Sequence, residues 1–371
     1  MLNVVFYFQV HQPYRLRHLN VLDIGTGTNL FDDRLNAEVM RKVSNKCYLP
    51  TNQLLLDLIK ENEGRFRIAY SITGTAIEQF KLYSPETLDS FKALAETGCV
   101  EFLGETYYHS LAALYDTNEF LDQVMMHRQL IIDEFGQQPR TFRNTELIYQ
   151  DRISDLVYEI EGFTTIITEG VDRILQWRSP LFAYKNYSKD INLLLKYYKL
   201  SDDIAFRFSN RDWPEYPLTV DKFVNWIDHL TLGEKGDRNL FLNLFMDYET
   251  FGEHQWAESG IFDFMRHFPS EVLKRPHLGF VTPAETQALA NYQQESLSFP
   301  DAVSWADEQR DLSAWVENDM QKNAIETFYE LLERVKTKGD PQLLKTARML
   351  STSDHFYYMC TKYFQDGDVH K

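Results

Sequence analysis

Seven short apolar runs alternate with helix-like segments over the first 250 residues or so, and this alternation restricts the fold more than any other feature. The runs are Asn3–Gln9, Arg65–Thr73, Val100–Leu103, Thr141–Thr145, Thr164–Thr168, Leu193–Tyr198 and Leu240–Met246. Rich in β-branched and aromatic residues, they read as strands buried on both faces, and a helix between two such strands is the crossover of a parallel sheet. The intervening segments carry helix punctuation. Asn52–Lys60 is helical, Ser84 and Pro85 open a helix that Gly98 stops, and Gly136 ends Thr117–Phe135. Gly162 closes the helix over Asp151–Glu161. Seven parallel strands with interleaved helices predict a closed (β/α)7 barrel of the α/β class rather than an open sheet.

From about Trp256 onward the strand pattern stops. Thr282-Pro283-Ala284-Glu285 has the form of a helix start, and long helices are expected near Asp311–Lys336 and Pro341–Phe364. The expected organisation is a barrel with insertions over residues 1–265, followed by a packed helical subdomain over 266–371 that completes a cleft. The net charge of −17 disfavours nucleic acid and anionic lipid as partners and leaves neutral ligands such as sugars unaffected. No apolar run approaches the roughly 20 residues of a membrane span. The opening segment has no basic flank or cleavage site, and Cys47, Cys99 and Cys360 lack paired spacing. These features point to a cytoplasmic protein without a disulfide scaffold.

The active site of a parallel barrel gathers at the C-terminal ends of its strands. There the sequence places His11-Gln12-Pro13 after the first strand and Glu105 through His109 after the third. Asn144-Thr145-Glu146 follows the fourth, and Asp247 through His254 the seventh. Any one of these residues could be a turn, cap or core residue. Four clusters of carboxylates, histidines and aromatics on one rim instead suit cleavage of a sugar–sugar bond, which needs two carboxyls and aromatic faces.

These motifs resemble those of glycoside hydrolase family 57: His11-Gln12-Pro13, Val100–His109, Asn144–Leu147, Met246–Gly252 and Phe280–Glu285, in order. Ser304–Asp307, Arg310–Trp315 and Thr352–Met359 are similar to the α-amylase-type members. The resemblance implies a (β/α)7 barrel acting on α-glucan or maltooligosaccharide with retention, Glu146 as nucleophile and Asp247 as general acid/base. It also implies a sugar site lined by His11, Gln12, Glu105, Tyr107, His109, Arg143, Glu249 and His254 from the rim. Trp305, Asp307, Asp311 and Trp315 would join them from the helical part, although both tryptophans also fit a helix core. The C-terminal extensions of branching-type members are missing, which argues against branching activity.

Retention requires the two carboxyls to stand roughly 5–5.5 Å apart. At that distance, and at an effective dielectric of 20, two like charges repel by roughly 3 kcal/mol, about two pKa units. An ionised Glu146 would therefore keep Asp247 protonated. Transfer to a second sugar, as in a 4-α-glucanotransferase, would use the same intermediate. A metal-dependent polysaccharide deacetylase would need closely spaced histidine ligands, and the ten histidines include no pair three to five residues apart. A non-catalytic glucan-binding protein would not need both carboxylates. Nothing in the spacings demands a cofactor or a metal.

Overall fold

The computed structural model describes residues 1–23, 25–27, 29–232, 238–290 and 295–362. Its strands are β1 (Leu2–Val10), β2 (Ile68–Ile72), β3 (Val100–Phe102), β4 (Thr141–Arg143), β5 (Thr165–Glu169), β6 (Tyr184–Asn186), β7 (Asn192–Lys196), β8 (Leu240–Asp247), β9 (Leu278–Phe280) and β10 (Ser296–Leu297). One parallel run has the order β3-β2-β1-β8, and a second contains β4-β5-β7. Two seams join them. Gly104, just past β3, donates to Thr141 O and accepts from Arg143 N, both at 2.9 Å. On the other side Tyr197 N donates to Asn243 O at 2.8 Å, and Asn243 Nδ2 donates to Leu195 O at 2.8 Å. The ring therefore closes as β1-β2-β3-β4-β5-β7-β8, the seven strands predicted from the apolar runs.

Strand alternation sorts side chains between lumen and outer layer. Val5, Tyr7, Ala69, Leu103, Ile167, Leu194, Phe241 and Phe245 form one buried cluster inside the ring. The intervening Val4, Phe6, Phe8, Tyr70, Leu242 and Leu244 pack outward beneath the helices. One step above the apolar lumen, the same inward face carries Gln9, Ser71, Glu105, Arg143, Glu169, Lys196 and Asp247. All but Asp247 are buried. Hydrocarbon thus fills the barrel below and ionisable groups floor its C-terminal mouth.

Beyond residue 256 the structure corrects several expectations. Two short strands follow: β9 pairs with β1 at Leu2–Val4, and β10 pairs with β6. The 265/266 boundary runs through the helix Ile261–Leu273. The Thr282–Glu285 signature forms only a turn, in which Thr282 N donates to Glu285 Oε2 at 2.8 Å, before a helix of four residues, Thr286–Leu289. The expected Asp311–Lys336 helix divides into Ser313–Val316 and Asp319–Lys338, because an Asn318/Gln321 capping box restarts the helix. The expected Pro341–Phe364 helix also divides, into Pro341–Leu350 and Ser353–Tyr357. Phe364 lies outside the described residues.

A buried carboxylate docks these helices on the barrel. Glu119, on the helix Thr117–Phe135, accepts from Arg348 Nε and Nη2 at 2.8 and 3.0 Å and pairs with Lys336 at 2.8 Å. Its side chain has no exposure. Removing one partner of such an ion network strands the others, at a cost of roughly 3–5 kcal/mol. Glu119→Ala is therefore expected to lower stability by about that amount, read as a lower denaturant midpoint. Glu134→Ala, on the same helix but paired with the exposed Lys81 and Lys92, should cost less than about 1 kcal/mol.

Candidate active site

Glu146 follows β4 in a left-handed backbone conformation, φ 57° and ψ 26°, and Leu147 continues it at φ 51°. Non-glycine residues adopt this region at a cost of order 1–3 kcal/mol each. Surrounding contacts hold it. Leu147 fills the barrel lumen, Leu147 N donates to Asn144 O at 3.0 Å, and Thr168 Oγ1 donates to Leu147 O at 3.2 Å. Trp305 N donates to Glu146 O at 3.2 Å. The strained turn points the Glu146 carboxylate at three donors. His109 Nε2 lies 3.1 Å from Oε1, Ser353 Oγ donates to Oε1 at 3.3 Å, and Trp305 Nε1 donates to Oε2 at 2.7 Å.

His109 bridges two carboxylates, with Nε2 at Glu146 and Nδ1 3.4 Å from Glu105 Oε2. Both ring nitrogens face acceptors, so both carry protons and the ring is an imidazolium. Burial opposes that charge, but the Glu105 and Glu146 hydrogen bonds outweigh it and raise the pKa to about 9. Against the same opposition, His109 and Arg143 lower Glu146 to about 2, helped by the Trp305 N–H. Glu105 is likewise lowered to about 2, with Ser71 Oγ and Gln9 Nε2 donating to its Oε1.

A second imidazole stacks on the first. The His11 ring lies 3.9 Å from that of His109, with 19° between their planes. His11 Nε2 lies 2.8 Å from Asp354 Oδ2, and Nδ1 lies 3.0 Å from Thr73 Oγ1. Burial and the adjacent His109 charge push the His11 pKa down. It is thus neutral, donating from Nε2 and accepting at Nδ1 from the threonine hydroxyl.

Across the ring, Asp247 ends β8 in register with Gln9 and two residues above the lumen residue Phe245, so it faces the mouth. Its side chain does not cap the turn that follows. Nearby Glu249 is buried, and its Oε1 accepts from Tyr48 Oη and from Gln12 Nε2, the latter at 3.3 Å. Burial and the Asp247 charge raise the Glu249 pKa to about 8. Gly252 allows this loop to seat: at φ 111° it presses on the turn Ser44–Tyr48, and a Cβ there would stand 2.1 Å from Lys46 O.

The structure thus gathers His11, Glu105, His109, Arg143, Glu146 and Trp305 into one network and sets Gln12 and Glu249 beside Asp247. Other candidates lie elsewhere. Trp315 is 1% exposed within the helical core, so it is a packing residue and not a sugar platform. Tyr107 is buried with its hydroxyl on Glu78, at 2.9 Å. Asp311 accepts from Ser313 N at 2.8 Å and shapes a local turn, while Asp307 pairs with Lys362 at 3.3 Å. His254 is half-buried, its backbone N–H on Glu249 O at 2.8 Å. Arg143 is fully buried beneath the Trp305 ring, 5.0 Å from its centroid. Trp305 is a donor to Glu146 rather than an open stacking face. Gln9, Ser71, Thr73, Lys196, Ser353 and Asp354 belong to the network but were not among the sequence candidates. Their one legible sign was the Thr352-Ser353-Asp354 helix start.

A parallel (β/α)7 barrel with carboxylates facing its C-terminal mouth is the layout of a glycosidase. The chain belongs to glycosyl hydrolase family 57, whose sequence profile matches residues 5–300. It is 42% identical, over 99% of its length and 79% of the relative's, to a protein of Methanocaldococcus jannaschii provisionally designated an α-amylase. In fold it is similar to a branching enzyme of Thermococcus kodakaraensis, with TM-score 0.70 and 13% identity over 96% of this chain and 85% of the other. It is also similar to a 4-α-glucanotransferase of Thermococcus litoralis, with TM-score 0.62 and 18% identity over 94% of this chain. The chain spans about half the length of that transferase, 48%. No helix among the described residues is long and apolar enough to cross a membrane.

The two shifts bound the pH range of stability. The Glu105 and Glu146 pKa values are depressed, so their contribution is present above about 4.5 and lost as pH falls toward about 2. His109 is raised, so its contribution is full below about 6.5 and lost as pH rises through about 9. The melting temperature of the protein should fall in both windows. Glu249, raised to about 8, also contributes stability that is lost between about 4.5 and 8, so His109→Phe should remove only the part of the fall between about 8 and 9, which a melting-temperature series from pH 5 to 10 would reveal.

Proposed function

We propose that this protein is a retaining glycosidase of α-amylase type that cleaves the α-1,4-glucosidic bonds of α-glucans such as maltodextrin, glycogen or starch. The observation that carries this reading is the state of Glu146, an ionised carboxylate at the barrel mouth, with Asp247 ending β8 across the ring from β4. Both lone pairs of Oε1 are engaged by His109 and Ser353, whereas Oε2 accepts from the Trp305 N–H. Oε2 is therefore the oxygen that attacks the anomeric carbon. Asp247 gives its proton to the departing oxygen, then takes one from the water that releases the glycosyl group.

The cations at His109 and Arg143 largely offset the Glu146 charge, so the repulsion reaching Asp247 is smaller than for a bare pair. Glu249, buried beside Asp247, holds its own proton up to about pH 8, so below that pH it adds no negative charge against Asp247.

A sugar hydroxyl in place of water would make the same intermediate a 4-α-glucanotransferase. Incubation with maltooligosaccharides separates the two outcomes. New reducing ends are expected, and redistribution of chain lengths without them would replace hydrolysis by transfer. Glu146→Gln and Asp247→Asn should each lower kcat about a thousandfold or more while the protein still folds. Near-wild-type turnover by Glu146→Gln would remove the assignment.

A further inference from the structure

The donor on the attacking carboxylate oxygen belongs to a loop that does not hold its own shape. Between Ala302 and Arg310 the chain turns back on itself, with Ser304 N donating to Arg310 O at 3.2 Å. Two of its non-glycine residues are left-handed, Asp307 at φ 47° and Arg310 at φ 49°. Such a loop relaxes unless its surroundings fix it.

Two arginines help to fix it, beside the Tyr149–Val303 backbone pair and the Lys362–Asp307 ion pair. From the helix Asp172–Leu175, Arg173 Nη1 donates to Gln309 O at 3.0 Å, and Nη2 donates to Arg310 O at 3.0 Å and Ala302 O at 3.4 Å. One guanidinium thereby ties both ends of the loop. Arg310 lies 4.0 Å over the Tyr198 ring and pairs with Glu169 at 3.9 Å and Asp202 at 3.6 Å. Lys196 joins the same acids, at 3.6 Å from Glu169 and 3.1 Å from Asp202, and sits 5.4 Å from the Trp305 ring centroid. Glu169 is wholly buried and ends β5, so the anchor stands on the barrel itself.

We propose that Arg173 and Arg310 are positioning residues for Glu146: they tie and anchor the Ala302–Arg310 loop so that the Trp305 indole N–H stays on Glu146 Oε2. This rests on Glu146 being the nucleophile. Neither arginine needs to touch substrate. The charged and titratable groups around Glu146 are His109 from the loop after β3, Arg143 from β4, Tyr357 from the helix Ser353–Tyr357 and, across the ring, Asp247 at the end of β8. Freeing the loop leaves these in place and takes the Trp305 N–H away from Oε2. Glu146 then ionises at higher pH and its carboxylate loses orientation.

The test compares Arg173→Ala, Arg310→Ala and Trp305→Phe by pH profiles on a maltooligosaccharide. Each should move the acidic limb of kcat/KM upward by about one pH unit and lower kcat about tenfold or more, with KM within about threefold. Adding Arg173→Ala to Trp305→Phe should shift the limb no further, because both act through one hydrogen bond. Arg173 is exposed, so its variant remains informative if Arg310→Ala folds poorly. Arg310→Lys, which keeps the charge, should recover most of the shift. The proposal is overturned if Trp305→Phe moves the limb and Arg173→Ala does not, or if the two effects add. Full activity in Glu146→Gln would instead overturn the underlying reading, so the two failures are distinct.

Discussion

A carboxylate kept ionised inside a protein must be given what water would have given it. Moving such a charge from water into protein costs several kcal/mol even after relaxation, and the group protonates unless donors and cations replace its hydration. Glu146 receives them from four parts of the chain: His109 after β3, Arg143 on β4, Trp305 on the Ala302–Arg310 loop and Ser353 at a helix start. These residues span more than two hundred positions, and only the closed ring with its helical cover brings them together. The strained turn at Glu146 and Leu147 is part of the same cost, sustained by the lumen contacts of Leu147.

The division of the barrel into an apolar lumen and a polar floor explains how such a floor survives. Tyr7, Leu103, Ile167, Leu194 and Phe245 fill the ring just below the charged layer, and the strand period of two sets Gln9, Glu105, Glu169, Lys196 and Asp247 directly above them. Packing beneath fixes the backbone from which the charged groups project, so their spacing does not depend on their own attractions. Opposite charges then alternate across the floor: Glu105 meets Arg143 and His109, and Glu169 meets Lys196.

Much of this was legible in the sequence because buried parallel strands announce themselves by composition. The ends of all seven barrel strands lie within two residues of the apolar runs, apart from the three-residue lead-in assigned to Arg65–Thr73. The placement of Glu146 just past β4 and of Asp247 at the end of β8 followed from the same reading. What failed were inferences about single side chains far from any strand end. Trp315 and Tyr107 are aromatic residues whose exposure depends on contacts distant in sequence, and both are buried. Asp311 was read as a sugar contact but serves a turn, the commoner use of aspartate before serine. The helix break at Ser351 and Thr352 was overlooked because the surrounding residues favour helix, and that break is what carries Ser353 and Asp354 to the mouth.

The stacked imidazoles tie the helical layer to this chemistry. Two rings 3.9 Å apart cannot both hold a charge cheaply, and their partners decide which one does. His109 has a carboxylate at each nitrogen, whereas His11 has a carboxylate at one and a hydroxyl at the other. Asp354 takes the His11 Nε2–H, leaving Nδ1 to accept from Thr73, so His11 stays neutral with both nitrogens satisfied and the proton remains on His109. Asp354 stands one residue from Ser353, and Ser353 N also donates to His109 O at 2.8 Å. The helix Ser353–Tyr357 thus fixes the tautomer of one ring, the backbone beneath the other and a donor on Glu146. The helical layer is therefore a working wall of the site, and the Glu119 network that docks it lies upstream of the charge on Glu146.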